Sequence, residues 1–244
     1  MATRHQEGTV LVTGGSNGIG RATVERLLVD GYDVINMDIA RPTQALPRET
    51  YVEADLANEA ALHEALVKAT SGRSITRLVN NAGIVRPAAI DLVTTSDLQA
   101  AVAVNLAAVI ACVQAVLPAM REAKFGRIVN ISSRAALGKS ERIAYSATKA
   151  GLHGLTRTLA LELAAEGITA NAIGPGPIAT ELFQCVNPPG APATTRIIDA
   201  IPVRRMGDPA EVAHMVSGLL DARAGFTTGQ VIYVCGGMTV GLTT

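Results

Sequence analysis

"TVLVTGGSNGIGRATVERLLVDGYDVINMD", residues 9–38, decides the fold. It opens on a β-branched run (9–14), passes through a turn of small residues, and continues as a segment of helical period (20–31) that stops at Gly31. A second short apolar run, 33–38, follows at once. Strand, helix and strand on short links make a βαβ unit, because two parallel strands need such a crossover. Runs that are apolar throughout, rather than alternating, suit a sheet covered on both faces.

The rest of the chain repeats this alternation. Helical period returns in "ANEAALHEALVKAT", in "DLQAAVAVNLAAVIACVQAVLPAM", in "AYSATKAGLHGLTRTLALELAAEG" and in "PAEVAHMVSGLLD". Strand runs return in "ITRLVNNAG", "GRIVNIS", "ITANAIGP" and "GQVIYVCGG". The expected fold is α/β, a Rossmann-type doubly wound parallel sheet with helices on both faces, in one domain spanning 1–244. Residues 176–208 break the pattern with five prolines and little periodicity. A long excursion inside a compact domain is usually functional, and a substrate lid is the expectation, with a tolerated surface insertion as the alternative.

Composition narrows the function classes. Hydrophobic residues make up 48% of the 244 and charged residues 17%, enough apolar content for a full core. Lys plus Arg equals Asp plus Glu at 21 each, so no net field recruits nucleic acid or an anionic membrane. Three scattered cysteines form no disulfide framework, and neither they nor the four histidines have metal-ligand spacing. The N-terminus has no apolar signal region, and no uninterrupted apolar run reaches transmembrane length. A soluble, cytoplasmic, metal-free protein is expected.

Gly14, Ser16, Asn17, Gly18, Ile19 and Gly20 leave backbone amides at the start of the first helix, where the helix dipole favours a pyrophosphate. The turn follows the first strand of a βαβ unit, the context that gives the motif its value. Asp38 ends the second strand, with Ile39 beside it. A carboxylate there can accept hydrogen bonds from an adenosine ribose and repels a 2′-phosphate. No cation stands at Ser16 or Asn17, and Arg41 is the one nearby candidate to welcome that phosphate. NAD(H) is expected over NADP(H); a plain strand-end turn role for Asp38 is the alternative.

In "NISSRAALGKSERIAYSATKAG", 130–151, Tyr145 and Lys149 are four residues apart and share one helix face. A free tyrosine has a pKa of about 10, and a neighbouring ammonium lowers it toward general acid/base work. Alone, this spacing occurs by chance in many helices, and two surface side chains would be the ordinary reading.

Taken together with "TGGSNGIG", "NNAG" (80–83), "VNLAAV" around Asn105 and "GPGPIAT", the stretch resembles the short-chain dehydrogenase/reductase family in its compact single-domain form, over essentially the whole chain. The resemblance implies an oxidoreductase acting on a small alcohol or ketone. Tyr145 would be its acid/base and Lys149 would lower the Tyr145 pKa and bind the nicotinamide ribose. A serine would hold the substrate oxygen, and Asn105 would hold a water in a proton relay. Asp55 and Leu56 would flank the adenine, and Asn81, Ala82 and Gly83 would line the ribose side. Pro175, Gly176, Ile178 and Thr180 would meet the nicotinamide and its phosphate. A homotetramer, or a dimer, would be the assembly.

Two serines compete for the substrate oxygen. By the intervals usual in that family, counting forward from Gly126 selects Ser133, and counting back from Tyr145 selects Ser132. Successive side chains of an extended strand face opposite ways, so only one can serve. Strand register is set by the buried face while a loop can lose a residue, which favours Ser133. The expected pocket walls are Ile84, Val85, Ala135, Leu182, Phe183 and Val186, with Arg86, Arg134, Lys139 and Arg142 near the rim. Cys235 stands where many members of that family carry Asp. The expected activity is NAD(H)-dependent interconversion of a secondary alcohol and a ketone. A 3-oxoacyl thioester reductase is the alternative in the same class, and a silent nucleotide-binding regulator the alternative outside it.

Overall fold

The structure, a computed structural model, describes residues 8–240, the side chains of Leu182 and Val186 excepted. Seven strands form one sheet in the order β3-β2-β1-β4-β5-β6-β7. They are β1 (Thr9–Thr13), β2 (Asp33–Asp38), β3 (Glu49–Glu53), β4 (Ile75–Asn80), β5 (Gly126–Ile131), β6 (Ile168–Pro175) and β7 (Val231–Val234). Every pairing is parallel. Strand order reverses between β1 and β4, the switch point where open α/β sheets bind ligands.

Alternation along β1 builds a core on each face. Leu11 joins Ile35, Leu78 and Ile128 under α2 (Glu59–Thr70) and α4 (Ala108–Glu122). Val10 and Val12 join Val79 and Val129 under α1 (Gly18–Val29) and α8 (Pro209–Leu220). Helix α5 (Ile143–Leu163) packs on β6 and carries the Tyr145–Lys149 pair.

Strand β3 escapes the sequence reading. Of its five residues only Val52 is buried, so an edge strand of this kind lacks the apolar run that marks the others. The long apolar segment divides into α3 (Thr95–Val102), a π-helical turn over Ala103–Ala107, and α4. Segment 176–208 is less irregular than its prolines imply. It carries α6 (Glu181–Val186) and α7 (Pro192–Asp199), and an Ile178–Gly207 bridge ties its two ends together.

The segment Thr95–Glu122 bears on the expectation about apolar length, although Asn105 and Gln114 interrupt its apolar run. Its 28 residues are long and apolar enough, by length and composition, to cross a membrane. In the fold they serve as a core element packed on β4 and α2, with the polar Asn105 buried at the π turn.

Candidate active site

The glycine turn is shaped by contacts that leave no room for larger residues. A Cβ at Gly20 would lie 1.8 Å from the Gly14 carbonyl oxygen, and one at Gly14 would lie 2.9 Å from the Ala82 Cα. Gly18 has φ +54°, in the left-handed region that glycine favours. Asn17 caps α1 in extended conformation without a side-chain hydrogen bond to its amides. Asn81 props the turn, its Nδ2 donating to the carbonyls of Thr13 (3.1 Å) and Gly14 (2.8 Å). The amides of Asn81 and Ala82 both donate to Thr13 Oγ1.

Asp38 sits beside this turn at the end of β2. Its Oδ2 accepts the Ser16 amide at 2.9 Å and its Oδ1 accepts the Ala40 amide at 3.0 Å. Ile39 next to it is exposed, and Arg41 places its guanidinium 5.3 Å from the Tyr51 ring centroid. Asp55 lies exposed beyond β3 and caps its own turn by accepting the Ala57 amide, while Leu56 packs partly into the core. On the other side of the turn, Thr180 stands close. A Cβ on Gly18 would be 3.2 Å from its methyl group. Pro175 ends β6, and the Gly176 amide donates to the Val234 carbonyl. Ile178 is 5% exposed, packs into the core and lines a cavity of about 130 Å³.

Helix α5 brings the chemical groups to the same edge. Lys149 is 3% exposed, and its Nζ donates to the Ile131 carbonyl at 2.6 Å. Burial pushes its pKa down to about 8. Tyr145 is half-buried, and desolvation raises its phenol above the ordinary value while Ser133 and then Arg142 pull it down. Lys149 is not among these influences. Its ammonium faces the strand carbonyl, 5.7 Å from the Tyr145 ring centroid.

The two serines part company as an extended chain requires. Ser133 has φ −164°, starts the short turn Arg134–Leu137, and stands beside the Tyr145 phenol. Ser132 is 2% exposed and turned to the flank of α5. Its Oγ donates to the Lys149 carbonyl at 2.9 Å and pairs with His153 Nε2 at 2.8 Å. His153, one turn beyond Lys149, also meets Tyr233 edge to face. Sequence reasoning overlooked His153, although its spacing of eight from Tyr145 puts it on the same stripe of the helix.

Asn105 is fully buried and binds the chain after Gly83. Its Oδ1 accepts the Ile84 amide at 2.9 Å, and its Nδ2 donates to the Ile84 carbonyl and to Thr148 Oγ1. A π turn shifts the register of a helix and recurs at functional sites. Gly83 marks where these groups converge. A Cβ there would lie 3.1 Å from Lys149 Nζ and 3.2 Å from Asn105 Oδ1.

Of the expected walls, Val85 is exposed, Ile84 and Phe183 are half-buried, and Ala135 is buried in the turn after Ser133; Leu182 and Val186 lie outside the described side chains. On the rim, Arg86 pairs loosely with Asp97 at 3.6 Å. Arg134 and Arg142 lie within electrostatic reach of Lys139, whose pKa is lowered first by desolvation and then by these two. Cys235 is buried, with Sγ 3.4 Å from Thr239 Oγ1, beside a cavity of about 130 Å³ between β7 and segment 176–208 that none of the residues around Tyr145 lines. Among the described residues no group of His, Cys, Asp and Glu could hold a metal ion.

A glycine turn at the switch point, with a serine, tyrosine and lysine gathered opposite it, defines an oxidoreductase of the Rossmann type, and comparison with known proteins agrees. Residues 14–239 match the family model described as enoyl-(acyl carrier protein) reductase. An acetoacetyl-CoA reductase of Shinella zoogloeoides is 41% identical over 234 residues, covering 93% of this chain and 96% of the relative. A hydroxy(phenyl)methyl-succinyl-CoA dehydrogenase subunit of Thauera aromatica is 38% identical, covering 96% and 98%. Among solved structures, a 3-oxoacyl (acyl-carrier-protein) reductase of Agrobacterium tumefaciens C58 with NADP bound superposes with a TM-score of 0.87 at 29% identity, covering 94% and 93%. The chain belongs to the short-chain dehydrogenase/reductase family.

Proposed function

We propose that the protein is an NAD(H)-dependent oxidoreductase that interconverts a secondary alcohol and a ketone. The observation that carries the reading is the gathering of Ser133, Tyr145 and Lys149 across from a glycine turn flanked by Asp38. The donor set fits a dinucleotide: uncapped amides at the start of α1 for a pyrophosphate, and a carboxylate for ribose hydroxyls. When bound, a nicotinamide cofactor supplies or accepts the hydride. Tyr145 Oη gives or takes the proton at the substrate oxygen, and the Ser133 hydroxyl orients that oxygen. Lys149 is the buried cation that a ribose hydroxyl can reach, and Asn105 keeps the Gly83–Ile84 backbone against α5 so that a proton path can pass beside it.

Asp38 supports NAD(H) because its carboxylate would repel a 2′-phosphate. The NADP in the Agrobacterium structure argues the other way for that protein. Titration with each reduced cofactor, followed by a panel of alcohols and ketones, tests both parts. Tighter NADPH than NADH binding overturns the cofactor reading, and cofactor binding without turnover on any substrate favours a regulator.

A second reading, reduction of a 3-oxoacyl thioester, draws on the two thioester-named relatives and on the cations Arg134, Lys139 and Arg142 around the mouth. Acetoacetyl-CoA in the same panel separates it from a plain ketone reductase. The working assembly in this reading is a cytoplasmic homotetramer without nucleic-acid or membrane partners. It is supported by the zero net charge and by exposed apolar residues such as Ile110 on α4, Leu161 on α5 and Phe226 near β7. Light scattering on the purified chain gives its mass directly.

A further inference from the structure

Glu49, the first residue of β3, has a carboxylate that is only 1% exposed. Burying a charge is costly unless geometry and hydrogen bonds compensate. Here they do. Arg21 of α1 donates through Nη1 to both Glu49 oxygens, at 2.9 and 3.0 Å, and through Nη2 to the Gln44 carbonyl. The Leu46 amide donates to Oε2 and Asn36 Nδ2 donates to Oε1 at 2.9 Å.

The contacts continue toward the cofactor end without a break. Asn36 is fully buried and also donates through Nδ2 to Ser16 Oγ at 3.1 Å. Ser16 Oγ donates to the Ala40 carbonyl at 2.6 Å, and the Ser16 and Ala40 amides hold the two oxygens of Asp38. Direction along this chain is imposed from the Glu49 end. An ionised carboxylate only accepts, so Asn36 must turn its NH2 toward it. That same NH2 then donates to Ser16 Oγ, which leaves the single Ser16 proton for the Ala40 carbonyl. The orientation has a cost. Asn36 Oδ1 is buried without a partner, and a Cβ on Gly15 would come within 2.5 Å of it.

We infer that Glu49, charged and held by Arg21, is a positioning residue for cofactor selectivity: it orders the Asn36–Ser16–Ala40 contacts that aim the Asp38 carboxylate at the adenosine ribose. The inference rests on the reading of Asp38 as the ribose acceptor. It extends that reading to a residue that connects to Asp38 through Asn36 and Ser16.

Glu49→Gln keeps the shape and removes the acceptor-only character, so Asn36 is free to turn over and Ser16 to release Ala40. With NAD(H), KM should rise about tenfold with kcat within about twofold, a loss on the scale of one hydrogen bond to a charged group. The ratio of kcat/KM for NAD(H) over NADP(H) should fall by a similar factor, while KM for nicotinamide mononucleotide, which lacks the adenosine half, stays put. In an Asp38→Asn background the same change should leave the ratio where Asp38→Asn put it. An unchanged ratio in Glu49→Gln with a lowered Tm overturns the inference and leaves the pair a simple fastener between α1 and β3. Preference of the wild type for NADP(H) overturns the Asp38 reading first and the inference with it. Should Glu49→Gln fail to fold, Arg21→Lys, which keeps a cation but loses the two-pronged contact, is read by the same ratio.

Discussion

At the proposed adenosine end of the cleft the Asp38 carboxylate is held by two backbone amides, and a buried chain of contacts stands behind it. At the chemical end the Tyr145 phenol has Ser133 beside it and a pKa raised by burial. Fixed hydrogen bonds suit a group whose task is to present one charge in one direction. A group that must gain and lose a proton cannot be locked in the same way, since each protonation state wants a different partner. The protein therefore spends its hydrogen bonds on shape at one end. At the other it keeps Tyr145 half-open on a rigid helix, with Lys149 anchored below it by the Ile131 carbonyl.

The sharpest break of this comparison is at the phenol. Tyr145→Phe should lower kcat by about a thousandfold, the scale of general acid/base catalysis, with cofactor binding retained in a titration. Loss of binding instead would make Tyr145 part of the rigid end.

Lys149 offers a stability test. Its pKa falls from 10.5 to about 8 on folding, so between those values the unfolded chain binds more protons and stability rises with pH. Relative to Lys149→Met, the wild type should gain roughly 3 kcal/mol as pH climbs from about 8 to 10.5, by urea unfolding at each pH. A flat difference would mean that the ammonium is better solvated than its burial implies.

Ser133→Ala should cost about a hundredfold in kcat/KM, as loss of one oxygen-holding donor does. Ser132→Ala should cost activity only a few-fold and show mainly in Tm, because a hydrogen bond is worth about 1 kcal/mol. The reverse pattern would move the site to the buried face. At the other end, Asp38→Asn should narrow NAD(H) preference by about tenfold without moving kcat, a change of about 1.4 kcal/mol in binding alone.

Most of the nucleotide end can be read along the chain because its signals are local. Tight turns need glycine at particular positions, and Asp38 follows them by the length of one helix. The Arg21–Glu49–Asn36 chain behind it escapes such reading, since Glu49 looks like an ordinary exposed acid on an edge strand that itself shows one buried residue. At the chemical end the Tyr145–Lys149 spacing is plain, whereas the partners of Asn105 and the two faces of Ser132 and Ser133 depend on how α5 lies against β5. Helices α6 and α7 are too short for periodicity to announce them.

The sequence by itself determined the parallel α/β fold, the glycine turn and the helical pair, because each follows from backbone sterics or side-chain period over a few residues. Only the tertiary structure decided which serine meets Tyr145, that Lys149 donates a hydrogen bond to a strand carbonyl, and that a buried glutamate stands behind Asp38. Those are matters of which distant groups share a desolvated space, where an unmet charge or donor is too costly to tolerate.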